Sequence, residues 1–468
     1  MDKKARFIIL LVCVVLFLII APYLAMYSMG YRLNFETWEV TATGGIYVSA
    51  TPQASEIIID SSNSKKLGIF SNSVFVQDLI PQIHTVLIKK EGYFDYQKTL
   101  DVIENEVTKL EKVILFKNTT QYDLNLEKVE SFSISPDKRN ILAEGTNTQS
   151  LDFYYFTIGS PETRTTYSLP LKYTSVLDVI WSSDSKKALI KTKSSAGVYA
   201  YYLLDFSSRM QTATPVSYLT SKISDAAFNT QDSNQIFWLE NNSLYSAKDA
   251  KTTLVAKNII NYTFQNGNII WLSTAGQLYQ SDVSGQNPNL LANWPVNKEY
   301  MDPDGAKIEI VAGRIVVSKQ GYVYQYITEE KGFKQLSLTA GIANPTFLAS
   351  PNGKNMLYYD NSKIYLYVFE KSPYNKSNEN DIKLFTAPGG QSISDVYWLN
   401  DDYVIFESGN RIIISEIDFR GNINQVELQN SWPAGTDSSN PKIIFNQQDG
   451  KVYVLTGKSL YSSEKLVP

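Results

Sequence analysis

A repeat that begins near Ser131 and runs to the end of the sequence constrains the fold more than any other feature. Three segments place a polar turn directly after an aromatic or apolar strand: Ile134-Ser135-Pro136-Asp137-Lys138, Trp181-Ser182-Ser183-Asp184-Ser185-Lys186 and Ala349-Ser350-Pro351-Asn352-Gly353-Lys354. Degenerate copies stand at 228–232, 264–268 and 445–450. A second apolar strand follows each turn, then a short polar turn and a third strand rich in Tyr or Leu. Residues 236–239 and 243–245, or 269–272 and 277–279, show the pattern. Two further copies, weak at the turn, begin near Glu309 and Val396. The starts at 131, 179, 226, 262, 309, 346, 396 and 443 lie 36 to 50 residues apart. Units of this length holding several strands read as the blades of a β-propeller. Eight starts favour eight blades, or seven if a short unit is incomplete. The last copy ends with its third strand at Tyr461, so its fourth strand must come from elsewhere. Residues 122–126, ahead of the first repeat, would close the ring and protect both open sheet edges.

The N-terminus demands a different solvent. Residues 7–24 carry no charge, and none appears until Arg32. The run is apolar on every face and long enough to cross roughly 30 Å of hydrocarbon as a helix. Lys3, Lys4 and Arg6 precede it, which orients the N-terminus to the cytoplasm and the remainder outside. Tyr23, Tyr27 and Tyr31 suit the far headgroup level. A cleaved secretory signal is the rival reading, but the run exceeds a usual signal core and no Ala-x-Ala site follows it. Both readings export the body.

Charge and composition exclude several classes. The chain has 43 Lys and Arg against 47 Asp and Glu; without Asp2, Lys3, Lys4 and Arg6 the body has 40 against 46. This mildly acidic balance lacks the footprint of a nucleic-acid partner. The single cysteine, Cys13, lies in the apolar run, so the body has no disulfides, a usage that fits a bacterial surface protein. His84 is the single histidine, which rules out His-rich metal clusters and leaves one position for a nucleophile–His arrangement. No cofactor-binding fingerprint or metal set is present, and none is expected.

Between residues 44 and 117 the pattern is a succession of short strands separated by Thr-Pro, Ser-Ser-Asn-Ser and Glu-Gly turns. Some 70 residues of this kind make a small β-sandwich, near the lower limit for an autonomous core. Gly45-Ile46-Tyr47-Val48, Thr51-Pro52, the strand ending in Asp60, Leu79-Ile80-Pro81, His84-Thr85-Val86 and Lys90-Glu91-Gly92-Tyr93 resemble the PEGA domain in order and spacing. The namesake tetrapeptide reads Pro52-Gln53-Ala54-Ser55 here, and Gln82 replaces the usual glycine after Pro81. The resemblance implies surface location, a binding or spacing role, and a structural role for His84. The Ser-Pro-Asp-Gly-like turns of the repeat array resemble those of TolB and dipeptidyl-peptidase propellers. That resemblance covers most of residues 121–468 and implies fold rather than activity.

Three acids stand out as candidates. Asp178-Val179-Ile180-Trp181 and Asp395-Val396-Tyr397-Trp398 are near-identical, and Asp225-Ala226-Ala227-Phe228 occupies the same place in its repeat. All three precede the blade's first, innermost strand. They would form a ring of carboxylates at one channel mouth, suited to a cation, a basic peptide segment or sugar hydroxyls. The bland alternative, in which each Asp satisfies backbone amides, is favoured. The paired tryptophans read as packing between blades. Met301-Asp302-Pro303-Asp304-Gly305 lacks the third acid and distal Glu of a calcium loop and reads as a turn. Ser183-x-x-Lys186 and Ser62-x-x-Lys65 match a nucleophile pattern but have no helix or partner motif behind them.

The sequence therefore reads as an all-β protein: a cytoplasmic stub (1–6), a transmembrane helix (7–29), a linker (30–43), a PEGA-like β-sandwich (44–117), a linker with a ring-closing strand (118–130) and a seven- or eight-bladed β-propeller (131–468), eight favoured. The expected function is tethering and recognition at the cell envelope, without catalysis. The expected partners are the membrane, through the helix, and an envelope protein or cell-wall glycan. A propeller-borne hydrolase or lyase acting on polysaccharide or peptide is the alternative, and Asp178, Asp225 and Asp395 are the carboxylates it would need.

Overall fold

Every repeat folds into an antiparallel sheet, and eight such sheets make the propeller. A computed structural model describes residues 3–28, 30–34, 39–60, 63–66, 72–145, 150–170, 173–294, 303–336, 342, 344–370, 381–432, 436 and 440–467. The first strands of the blades are Val129–Ile134, Tyr173–Trp181, Ile223–Phe228, Ile259–Gln265, Lys307–Val311, Thr346–Ala349, Ile393–Trp398 and Lys442–Asn446. First strands of neighbouring blades touch one another, which makes them the innermost. The second strands, such as Gln235–Glu240 and Tyr403–Ser408, are almost wholly buried. They read as continuous apolar runs because a neighbouring blade covers each of their faces.

Ring closure uses the strand Thr119–Glu127, which lies antiparallel to the last strand, Ser459–Ser463, with Tyr122 opposite Ser463 and Glu127 opposite Ser459. Leu126, Val129 and Ile141 share one core cluster with Tyr453, Leu455 and Leu460, so the first and last blades are packed as well as paired. Trp432 stacks on Tyr122 at 4.2 Å between ring centroids.

The recurring turns form a hoop. The Ser135 hydroxyl donates to Asp137 Oδ1 at 2.6 Å and accepts the Asn140 N–H at 2.9 Å; Ser182 does the same with Asp184 and Lys187, and Ser350 with Asn352 and Asn355. The serines are buried, so each turn satisfies its own polar groups locally. Each turn then meets the next. Asp137 N–H donates to Ser185 Oγ, Ser183 Oγ to the Thr230 carbonyl, and Gln265 Nε2 to the Gly313 carbonyl. Arg314 donates to the Gly353 carbonyl, Asn352 N–H to Asp401, Gln447 to the Trp398 carbonyl, and Asn446 to the Lys138 carbonyl. Between blades 3 and 4 the link is steric: a Cβ on Gly267 (φ +79°) would lie 2.4 Å from Gln231 Nε2. Seven of the eight junctions are thus hydrogen-bonded at one end of the barrel of inner strands, and the eighth is closely packed there.

The other compact unit holds residues 1–119 and 418–429. Segment 418–429 groups with this unit, held in part by Lys98, whose Nζ donates to the Asn422 carbonyl at 2.6 Å. The small domain has a three-stranded sheet (Ser73–Leu79, Gly44–Thr51, Val107–Ile114) and a four-stranded one (Asn63–Lys66, Glu56–Ile59, Ile83–Lys89, Tyr96–Asp101). Ile46, Val48, Ile57, Ile59, Val86, Ile88, Leu100 and Leu110 fill the space between them, giving a sandwich. His84 is buried; its Nε2 lies 2.8 Å from the Ile80 carbonyl oxygen and its Nδ1 2.5 Å from Asp60 Oδ2. Both neighbours are structural, so His84 pins a turn. The stretch expected as a linker at 30–43 contains paired strands, Tyr31–Asn34 and Glu39–Ala42. Ahead of it runs the helix Lys3–Ser28, of which Phe7–Ser28 is long and apolar enough to cross a membrane.

Candidate functional site

Four residues before each tied turn lies one equivalent position on the inner strand. Around the axis it is occupied by Ser131, Asp178, Asp225, Asn261, Lys307, Thr346, Asp395 and Lys442. β-Bulges at Val129/Ser131, Val176/Asp178, Ile223/Asp225, Ile259/Asn261 and Ser394/Tyr397 re-aim the side chains here. The three candidate acids therefore do share one level of the channel. They are not a ring of carboxylates, because two lysines, a serine, a threonine and an asparagine complete the circle.

The acids divide by what they bond. Asp395 Oδ2 accepts the N–H of Ile443 on the next blade at 3.0 Å, and Asn261 accepts that of Ile308 at 3.0 Å. These two are inter-blade latches, the amide-satisfying role in a variant that spans a blade junction. Asp178 instead accepts the N–H of its own neighbour Val179 at 2.8 Å, and the adjacent Ala226 amide is the backbone group that favours the charged form of Asp225. Among the described residues, neither carboxylate reaches an amide of the next blade.

Asp178 and Asp225 are brought close enough to act on each other. Asp225 retains contact with solvent while the channel walls crowd it, and burial, followed by the Asp178 charge among the raising causes, pushes its carboxyl above the usual range. Lys191, opposite Asp178 in the ladder, pulls it back. Lys191 also sits 5.8 Å from the Tyr201 ring centroid and 5.7 Å from that of Tyr199, and its charge opposes the burial that raises the Tyr201 hydroxyl. Tyr262 feels the Asp225 charge from the next blade. Asp395 belongs to a separate group. Burial raises its carboxyl, Glu407 adds to the rise and Lys442 opposes it. Burial likewise raises Glu144 and Glu309.

Lys191, Tyr201, Lys307 and Lys442 were missed by reasoning from the Asp-x-x-Trp motif. Aligning all eight repeats on the turn, rather than the three most alike, places Lys307 and Lys442 in the same column. The tryptophans pack between blades: Trp181 Nε1 donates to Ser133 Oγ at 3.0 Å and Trp398 Nε1 to the Leu348 carbonyl at 3.1 Å. Ser183 is committed to the hoop. Ser62, Met301 and Asp302 lie outside the described residues. No group of three or more His, Cys, Asp or Glu suited to a metal occurs among the described residues.

No protein-family model matches the chain, and no curated protein matches it. Similar solved structures include the Dos1 propeller, at 10% identity and a TM-score of 0.48, covering 74% of this chain and 94% of that one. Sqt1 of Saccharomyces cerevisiae has 11% identity and a TM-score of 0.45, covering 75% and 100%. YCF48 of Cyanidioschyzon merolae has 13% identity and a TM-score of 0.40, covering 63% and 96%.

Proposed function

We propose that this chain is a membrane-anchored, extracytoplasmic binding protein. Its helix spans the membrane with the N-terminus in the cytoplasm, a PEGA-like sandwich follows outside, and a propeller of TolB type presents its channel mouth to a protein partner. The Asp178–Asp225 sector takes cationic side chains of that partner. The observation behind this is the loss of the latch at these two positions. Asn261 and Asp395 spend the equivalent side chain on the next blade, whereas Asp178 and Asp225 keep theirs for the channel, and at Asp225 crowding by the channel walls disfavours charge. The hoop at the opposite end consumes the turn groups there and leaves this mouth as the recognition end.

The test is calorimetric titration of the soluble body with a Lys-rich peptide and with a Glu-rich peptide of equal length. The Lys-rich peptide should bind, and Asp178→Asn with Asp225→Asn should weaken it by about tenfold, or ~1.4 kcal/mol. Equal binding of both peptides, or no change in the variant, refutes the reading.

A hydrolase or lyase acting on polysaccharide is a second reading, favoured by one observation. The raised carboxyl of Asp225 beside a second carboxylate is the arrangement that separates acid from base roles. Release of reducing ends from cell-wall polysaccharide, abolished by Asp225→Asn, would establish it in place of the first.

A further inference from the structure

Hydrogen bonds and an ion pair tie the end of the helix to the small sandwich, with a consequence at the membrane surface. Arg32 makes the joint. Its guanidinium lies 3.5 Å from the Tyr27 ring centroid, donates to the carbonyls of Tyr27 and Tyr31, and pairs with Asp78 at 2.6 Å. A cation here also suits the negative end of the helix dipole. Gly30 and Thr43 add a second tie: the Gly30 carbonyl accepts both the N–H and the hydroxyl of Thr43. The sandwich is therefore held within a few residues of the point where the helix leaves hydrocarbon.

Asp78 leads directly into the turn that carries Ile80 and Ile83. Two residues span at most about 7 Å of chain, so Ile80 is close to the helix exit. Ile83 is 69% exposed and Ile80 36%, an unusual pair to leave in water on a domain this small. The turn is stiffened from behind: His84 holds the Ile80 carbonyl, and the Gln82 carbonyl accepts the Val102 N–H at 3.0 Å. Tyr27, Tyr31 and Val40 are exposed in the same neighbourhood.

We propose that the Ile80–Ile83 turn is a membrane-docking element that inserts into the lipid interface and sets the sandwich against the bilayer; this rests on the reading of the helix as a membrane span. The occupant is the interfacial region of an uncharged bilayer. Continuity with the helix supplies the proximity, and the exposed isoleucines supply the apolar contact. Asp78 is already committed to Arg32, and Asp101, opposite Ile83, is acidic, so anionic headgroups are not what the turn recognises.

The test uses the full-length protein in phosphatidylcholine nanodiscs containing brominated lipid, with one environment-sensitive fluorophore per protein. The probe is placed on Cys13, or on Ile83→Cys or Glu91→Cys in a Cys13→Ser background. Glu91 is exposed near the far end of the Ile83–Lys89 strand, about 20 Å along the chain. Loss of fluorescence at 13 and 83, but not at 91, is the expected result. Loss at 13 with none at 83 overturns the docking while leaving the anchor intact. No loss at 13 removes the anchor and the docking with it. Equal loss at 83 and 91 means the sandwich collapses on lipid without using this turn, which also overturns the proposal.

Discussion

Closure of the ring by a strand from before the first repeat makes the N-terminal strand as important as any blade, and Leu126→Ala measures whether it is. Leu126 is 8% exposed and packs in the cluster that joins the first and last blades. Truncation removes three carbon groups, about 2.4 kcal/mol at ~0.8 kcal/mol each, and the residual cavity brings the cost into the ~2–5 kcal/mol range of buried Leu→Ala changes. Leu244→Ala is the reference: Leu244 is fully buried in the cluster that joins blades 3 and 4 and closes nothing. Urea unfolding of the soluble body, followed by tryptophan fluorescence, should give similar losses for the two variants at unchanged m-value. Trp432, stacked on Tyr122, reports the junction directly. A cost below about 0.5 kcal/mol for Leu126→Ala, beside a full cost for Leu244→Ala, would refute closure by this strand.

Three further outcomes follow from the site and the hoop. Asp395→Ala and Asn261→Ala strip the latches from the Ile443 and Ile308 amides and should each cost about 1–3 kcal/mol in the same assay, whereas Asp178→Ala should cost little. Equal costs at 178 and 395 would contradict the division between latch and free carboxylate. Ser182→Ala removes a buried hydroxyl that both donates and accepts in its turn, with an expected loss of about 1–3 kcal/mol, and a loss under a few tenths would mean the turn is held by other bonds. Glu309→Gln tests the raised carboxyl. Its folded pKa lies above the unfolded one, so the folded state binds the proton more readily, and the associated stability is present below the unfolded carboxylate range and lost as pH rises through the folded value. Glu309→Gln should therefore raise the thermal midpoint at pH 7, with the gain fading as pH falls below the ordinary glutamate range; a gain independent of pH would point to packing instead.

The architecture was legible in the sequence because a propeller writes the same local physics eight times. Ser135, Ser182 and Ser350 each need an acceptor two residues on and an amide five residues on, and that need fixes the spelling of the turn. Blade 4 shows only a degenerate copy and blade 5 is weak at the turn because they turn through two-residue Asn266-Gly267 and Ala312-Gly313 hairpins, where backbone conformation replaces the serine. The roles of the acids were not legible. Asp178 and Asp395 share the Asp-x-x-Trp signature, yet one bonds its own neighbour and the other an amide 48 residues away. The difference lies in the bulge: Asp395 adopts φ 50° inside it, while Asp178 follows it in register. Motif similarity cannot encode a difference of that kind.

The same contrast indicates how a closed ring can afford a recognition site. Neighbouring blades already share buried cores, such as the one in which Leu189 and Tyr201 meet Ile223 and Trp238. The junction between blades 2 and 3 carries hoop bonds from Ser183 to the Thr230 carbonyl, from Ser233 to Asp184 and from Lys187 Nζ to Asn234 Oδ1. A further latch from Asp178 is redundant for stability at this junction. At such a junction a polar side chain on the inner strand is free to face the channel, and the unlatched Asp178 lies there. Asp395 stands at the junction tied through the Gln447–Trp398 bond, and there the latch is retained. On this argument, removing the two serine bonds with Ser183→Ala and Ser233→Ala should make stability newly sensitive to substitution at Asp178, an interaction of ~0.5 kcal/mol or more in a double-mutant cycle. Strict additivity would mean that the site owes nothing to the hoop.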